Sequence, residues 1–192
     1  MLCIVADLAR CAFIAILFAV VTAPRVFFAQ GTVDEAKIVE CIQSVEKDAA
    51  LKIIDVDAAA AKCADHGRDH CMEGAVEKWG WSPAFGACNG ATLEIWRRLL
   101  VQAYEAAITA QREGDRLKRE SYSNDEPLLP AFVEAHEKWV AFVGAECALK
   151  HAEASKGTYN LFGIAKAMCE TDLTARRVFL YRARARTLTP RP

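Results

Sequence analysis

The stretch CADHGRDHC, from Cys63 to Cys71, puts two cysteines and two histidines within nine residues. It can be read as a metal site, as a thiol with its base, or as two halves of separate disulfides. His66 and His70 are four apart, which on a helix sets both imidazoles on one face. Zinc takes such ligands, with Cys63 and Asp69 nearby. The cysteines would then have to stay reduced, and a bridged cysteine has no thiolate to offer a reaction. The rest of the chain decides between these readings.

The chain has 192 residues, a one-domain length with room for a real core. Alanine, leucine, glutamate, lysine and arginine are plentiful and favour helix. The run CAFIAILFAVVTA, Cys11 to Ala23, is uncharged, apolar and preceded by Arg10. It is shorter than the roughly 20 residues that span a bilayer, and it has the length of the apolar part of a secretory signal. We read residues 1–29 as a signal peptide cleaved after Ala29, and the remaining chain as periplasmic or secreted, with no stable membrane insertion.

Of the eight cysteines, Cys3 and Cys11 fall in that signal, leaving Cys41, Cys63, Cys71, Cys88, Cys147 and Cys169. An even number in an oxidising compartment points to disulfides, and six cysteines permit fifteen pairings. Helix geometry ranks them. Residues 131–154 place Phe132, His136, Trp139, Val143 and Cys147 at helical spacing; residues 161–186 do the same with Phe162, Ala165, Cys169, Leu173 and Leu180. Cys147 precedes Thr158 by 11 residues and Cys169 follows it by 11. In an antiparallel helical hairpin both then lie about 16 Å from the turn, facing each other. The same test pairs Cys71 with Cys88 about the segment KWGWSP, where Ser82 and Pro83 suit a helix start. Cys41 is left with Cys63, about Lys52. Cys63 with Cys71 is the rival pairing, open if Gly67 breaks the helix, since eight helical residues separate them by about 12 Å.

The expected fold is therefore all-α: a disulfide-stapled helical bundle ending in an antiparallel helical hairpin. A first helix covers Asp34 to Ala50, with Val33, Ala36, Val39/Glu40 and Gln43 in register. A second, capped by Asp55 or Asp57, runs to about Asp65. Gly74 to Pro83 reads as a glycine- and tryptophan-rich loop. A long helix follows from Phe85 to about Lys118, with a stripe of Leu93, Trp96, Leu100, Ala103/Tyr104 and Ala107. The stretch from Cys63 to Cys71 becomes two disulfide halves with solvent-facing histidines between them. We assign no catalytic, cofactor-binding or metal-binding residue, and the reading is of a protein that is not an enzyme. His136 falls on an apolar stripe and reads as a core histidine. His151, late in its helix, complements the C-terminal dipole. The basic tail lacks the interleaved aromatics of a single-strand binder, which argues against nucleic acid.

Charge is uneven. Gln30 to Ile95 carries 12 acidic against 6 basic residues, and Trp96 to Pro192 carries 12 against 16. An acidic first half can steer a basic partner, and aromatics beside it, Trp79 and Trp81, are candidate anchors.

Three blocks carry a family resemblance. CADHGRDHCMEG with ACNGATLEIWRRLLVQAYEAA holds Cys63, Cys71, Cys88, Leu93, Trp96 and Tyr104. AHEKWVAFVGAEC holds Trp139, Phe142, Glu146 and Cys147. CETDLTARRVFL holds Cys169, Leu173, Thr174, Arg176 and Arg177. In order and spacing these blocks resemble the LprI-like lysozyme-inhibitor domain of exported bacterial proteins. The chain departs from the family's acidic residue at Arg97, its asparagine at Val101 and its arginine at Val143. The resemblance implies a helical domain over residues 63–187, after an N-terminal helical extension at 30–62. It implies a binding role, with a basic protein such as lysozyme as partner. The alternative is a general cell-envelope or ligand-binding module.

Overall fold

The computed structural model describes residues 33–48, 55–121, 126–156 and 162–188. The expected signal at 1–29, the turns about Lys52 and Thr158 and the end of the basic tail lie outside them. The described residues form helices α1 (Glu35–Asp48), α2 (Val56–Cys63), α3 (His66–Trp79), α4 (Trp81–Glu120), α5 (Leu129–Ala154) and α6 (Phe162–Leu188), with no strand among them. The fold is all-α and disulfide-stapled. No helix of the described residues is long and apolar enough to cross a membrane.

α4, at 40 residues and about 60 Å, is the spine. The main core lies between α4 and α6 and is closed by α1 and α2. Trp96, Ala103 and Ala107 of α4 meet Ala175, Val178, Phe179 and Tyr181 of α6, with Ile38 and Ile42 of α1 and Ala59 and Ala60 of α2. α1 and α2 are thus part of the same core as the helices that follow. A smaller core at the α3–α4 end gathers Cys71, Ala75, Ala84 and Cys88.

The bridges are Cys41–Cys63, Cys71–Cys88 and Cys147–Cys169, with Cα–Cα distances of 5.7, 5.7 and 5.5 Å. Each joins two helices adjacent in the chain. The break in the opening stretch falls at Ala64 and Asp65, between α2 and α3, not at Gly67. Gly67 is instead a packing glycine. A Cβ there would come within 2.6 Å of Val33 and 2.7 Å of Ile38, so its absence lets α3 lie against α1.

Three further expectations change. The inward face of α1 is Ile38, Cys41 and Ile42, while Ala36, Glu40 and Gln43 face water. The bridge to Cys63 turns that face inward. α6 buries Thr171, Thr174, Ala175, Val178 and Tyr181, and Leu180 is exposed. α6 is gripped on two sides, by α5 at Cys169 and by α4 on the opposite face, and the second grip buries more. Gly74 to Pro83 is not a loop: α3 runs through Gly74 to Trp79, and α4 starts at Trp81 rather than Phe85. Only Gly80, at φ 79°, leaves the helical conformation, which favours glycine. Of the two candidate caps of α2, Asp55 is the one used, accepting from Asp57 N at 3.1 Å and Ala58 N at 3.0 Å.

Two buried polar clusters set α5 on the spine. Asp115 of α4 accepts from the backbone N–H of Leu128 (3.1 Å) and Leu129 (2.9 Å), so a carboxylate on one helix caps the start of another. Gln111 donates to it at 3.0 Å and accepts from Arg184 of α6 at 3.0 Å. Burial alone would raise the Asp115 carboxyl, but these donors hold it below its ordinary value. Further along, His136 stacks on Tyr104 at 4.0 Å and its Nδ1 lies 2.9 Å from the Tyr181 hydroxyl. Arg177 Nε donates to that hydroxyl at 2.8 Å. All three groups are satisfied when Tyr181 donates to a neutral His136. Burial, and then the charge of Arg177, lowers the His136 pKa from 6.5.

Replacing Asp115 by Ala strands two backbone donors and should cost about 2–4 kcal/mol in urea denaturation at neutral pH. Because the folded carboxyl titrates lower than the unfolded one, that deficit should shrink only as pH falls below about 3.9. The folded state also binds the His136 proton less readily than the unfolded chain. Stability should therefore fall as pH drops below about 6.5, and His136→Gln should flatten that slope over about pH 7 to 5.

Candidate partner-binding surface

The tip where α3 turns into α4 carries the two candidate tryptophans, and the fold separates them. Trp79 ends α3 and packs partly buried against the Cys71, Ala75, Ala84 and Cys88 cluster. That cluster holds the second bridge, and Lys78 Nζ sits 5.6 Å from the Trp79 ring centroid. Trp81, beyond Gly80, is 55% exposed. It is held by stacking on Phe85, with centroids 4.7 Å apart and planes at 12°. Beside Phe85 lies the Arg68 guanidinium, 5.6 Å from the ring centre. Arg68 in turn binds Asp65 at 2.9 Å and Asp69 at 3.0 Å. The result is a layered tip: an outward indole, a supporting phenyl ring, and a cation fixed by two carboxylates.

An acidic edge runs from this tip along α3. Asp65, Asp69, Glu73 and Glu77 recur every four residues and are all exposed. His66 and His70 lie exposed among them, with His70 Nδ1 3.6 Å from Glu73. Cys63 and Cys71 point away into separate bridges. Among the described residues no three His, Cys, Asp or Glu side chains converge as a metal site.

Elsewhere the acidic first half is met by the basic second half of the same chain. Arg98 binds Glu35 at 2.6 Å, and Arg176 binds Asp57 at 3.1 Å. Arg182 clasps Glu46 with two bonds, at 2.7 and 2.8 Å. The acidic surface is therefore narrower than composition suggests. Among the described residues, Asp65, Asp69 and Glu73 pair with Arg68 and His70 of α3, whereas Glu35 and Glu46 of α1 and Asp57 of α2 reach across to α4 and α6.

The residues that depart from the family pattern have visible surroundings. Arg97 binds Glu94 at 2.6 Å and Glu170 of α6 at 2.7 Å. Val101 is exposed and Val143 is half-buried. Trp96 is fully buried and Trp139 partly so, beneath Arg177 at 5.1 Å. The Tyr181–Arg177 pair was not visible as a unit in the sequence. Its signal is the four-residue spacing of a tyrosine and an arginine beside an otherwise apolar helix face.

A family model described as lysozyme inhibitor LprI matches residues 82–179. The chain belongs to that family. The matched span covers nearly all of α4, all of α5 and most of α6, and contains the Cys147–Cys169 bridge. The Cys71–Cys88 bridge crosses its start, and Cys41–Cys63 lies before it. Neither the curated proteins nor the solved structures include a match to this LprI-family chain.

The two tryptophans should respond differently to truncation. Trp81→Ala loses one exposed aromatic stack and should cost about 1 kcal/mol. Trp79→Ala removes packing against the cluster that holds the second bridge and should cost about 2–3 kcal/mol, read as the shift in thermal or urea midpoint.

Proposed function

We propose that this LprI-family protein is an exported binding protein that inhibits lysozyme by docking on the enzyme and occluding its cleft. The observation that carries the reading is Trp81, an exposed indole on a braced tip at the end of an acidic edge, in a chain of this family. Lysozyme is strongly basic, so Asp65, Asp69, Glu73 and Glu77 would steer the encounter and Trp81 would fill an apolar part of the cleft. Trp79 supports the tip from below. The Cys71–Cys88 bridge holds α3 and α4 in place, which lowers the entropy lost on binding. The role is occlusion and involves no chemistry by this chain.

Export is supported by the signal-like residues 1–29 and by three bridges, which persist in an oxidising compartment. We place the start of the functional domain at Cys63, before the first matched residue. Trp96 Nε1 donates to Ala64 O at 3.1 Å, and Cys71 is bridged to Cys88, so α3 is tied to the matched helices. The extension at 30–62 contributes α1 and α2, whose described residues close the core.

The test is cell-wall lysis by lysozyme, titrated with the oxidised protein at low and moderate salt. Inhibition should weaken as salt rises. Trp81→Ala should weaken it about tenfold or more while the fold is retained. Reversing Glu73 and Glu77 to lysine should slow association and remove most of the salt dependence. No inhibition at large excess, with all three bridges confirmed, would exclude this reading and leave a general envelope-binding module.

A further inference from the structure

α5 has two stripes rich in apolar residues, and among the described residues only the inner one is packed into the fold. The inner stripe, from Phe132 through His136 and Val143 to Cys147, faces the protein. On the opposite side Ala135, Lys138, Phe142, Ala145, Leu149 and Ala152 recur at alternating three- and four-residue steps, and all six are exposed. Phe142 is 51% and Leu149 53% exposed. Between Trp139 and Leu149 the only charged residue is Glu146. A surface helix ordinarily keeps such a face polar. The three-four spacing is that of a seam between two helices packed side by side.

The charges along the stripe say what fits it. Lys138 lies at one end, 2.6 Å from Glu134; Glu153 lies at the other, 3.3 Å from Lys150. A two-fold axis between Ala145 and Glu146 would set Phe142 of one copy against Leu149 of the other. It would also set Lys138 against Glu153, twice over. The small side chain of Ala145 at the crossing lets the backbones approach. A parallel pairing would set Lys138 against Lys138 and Glu153 against Glu153, so charge selects the antiparallel arrangement.

We propose that the outer face of α5 is the interface of an isologous dimer, in which α5 of one copy lies antiparallel on α5 of the other. The axis closes the assembly at two copies. A single helix pair is a small interface, which fits association in the micromolar range. The proposal is independent of the lysozyme reading, because Trp81 and the acidic edge of α3 lie on other helices and stay exposed in the dimer.

Sedimentation velocity of the protein with intact bridges, from about 1 to about 100 µM, tests it. A concentration-dependent monomer–dimer equilibrium is expected. Leu149→Glu should weaken it about tenfold or more, with an unchanged helical circular dichroism signal. Lys138→Glu and Glu153→Lys should each weaken the dimer, and the two together should restore it. A zero-length carbodiimide crosslink between Lys138 and Glu153 would report contact between copies, since within one helix they are about 22 Å apart. A monomer throughout that range overturns the proposal. So does a dimer that Leu149→Glu leaves equally tight, or a double charge reversal that fails to restore association.

Discussion

Trp96 is the point on which the other contacts depend. Its indole is fully buried in the middle of the longest helix, and its one polar atom donates to the Ala64 carbonyl, where α2 gives way to α3. A buried indole N–H without an acceptor is costly, so satisfying it ties the break in the chain to the spine. Cys63, one residue before that carbonyl, is bridged to α1. Phe179 of α6 lies 6.3 Å from the indole, centroid to centroid. One side chain thus fixes where α2 ends, where α3 begins, and how α6 crosses α4.

Around that node the charges act as registration rather than as glue. Exposed ion pairs contribute little individually. Here they join elements far apart in sequence: α1 to α4 through Glu35 and Arg98, α1 to α6 through Glu46 and Arg182, α2 to α6 through Asp57 and Arg176. A rotation of α6 by one residue would separate the last two pairs together. The acidic bias that this internal matching does not use is concentrated along α3.

The hairpin of α5 and α6 was legible because two cysteines equidistant from a turn leave little freedom in helix geometry. The α4 stripe was legible because a long amphipathic helix repeats its signal many times. The faces of α1 and α6 were misread for a shared reason. Each has apolar residues on more than one side, and periodicity does not say which neighbour buries more. The segment from Gly74 to Pro83 looked like a loop because glycines and tryptophans cluster there. An exposed glycine inside a helix costs only about 1 kcal/mol, and only Gly80 changes the backbone direction. That single turn also explains the site. Trp79 and Trp81 are two residues apart, yet they fall on opposite sides of a left-handed glycine, so one becomes packing and the other surface. The uneven charge was plain in the sequence, but its internal pairing depends on which helices cross.

The bridges join the first cysteine of the bundle to the second, the third to the fourth, and the fifth to the sixth. No bridge spans another. In a chain threaded N-terminus first into an oxidising compartment, each odd-ranked cysteine therefore finds its native partner in the next one to arrive. Oxidation in order of emergence yields the native set directly, and the slow reshuffling of mispaired intermediates is not required. On such a route the Cys41–Cys63 and Cys71–Cys88 bridges can close before α5 and α6 arrive, and the third bridge then joins those two helices to each other.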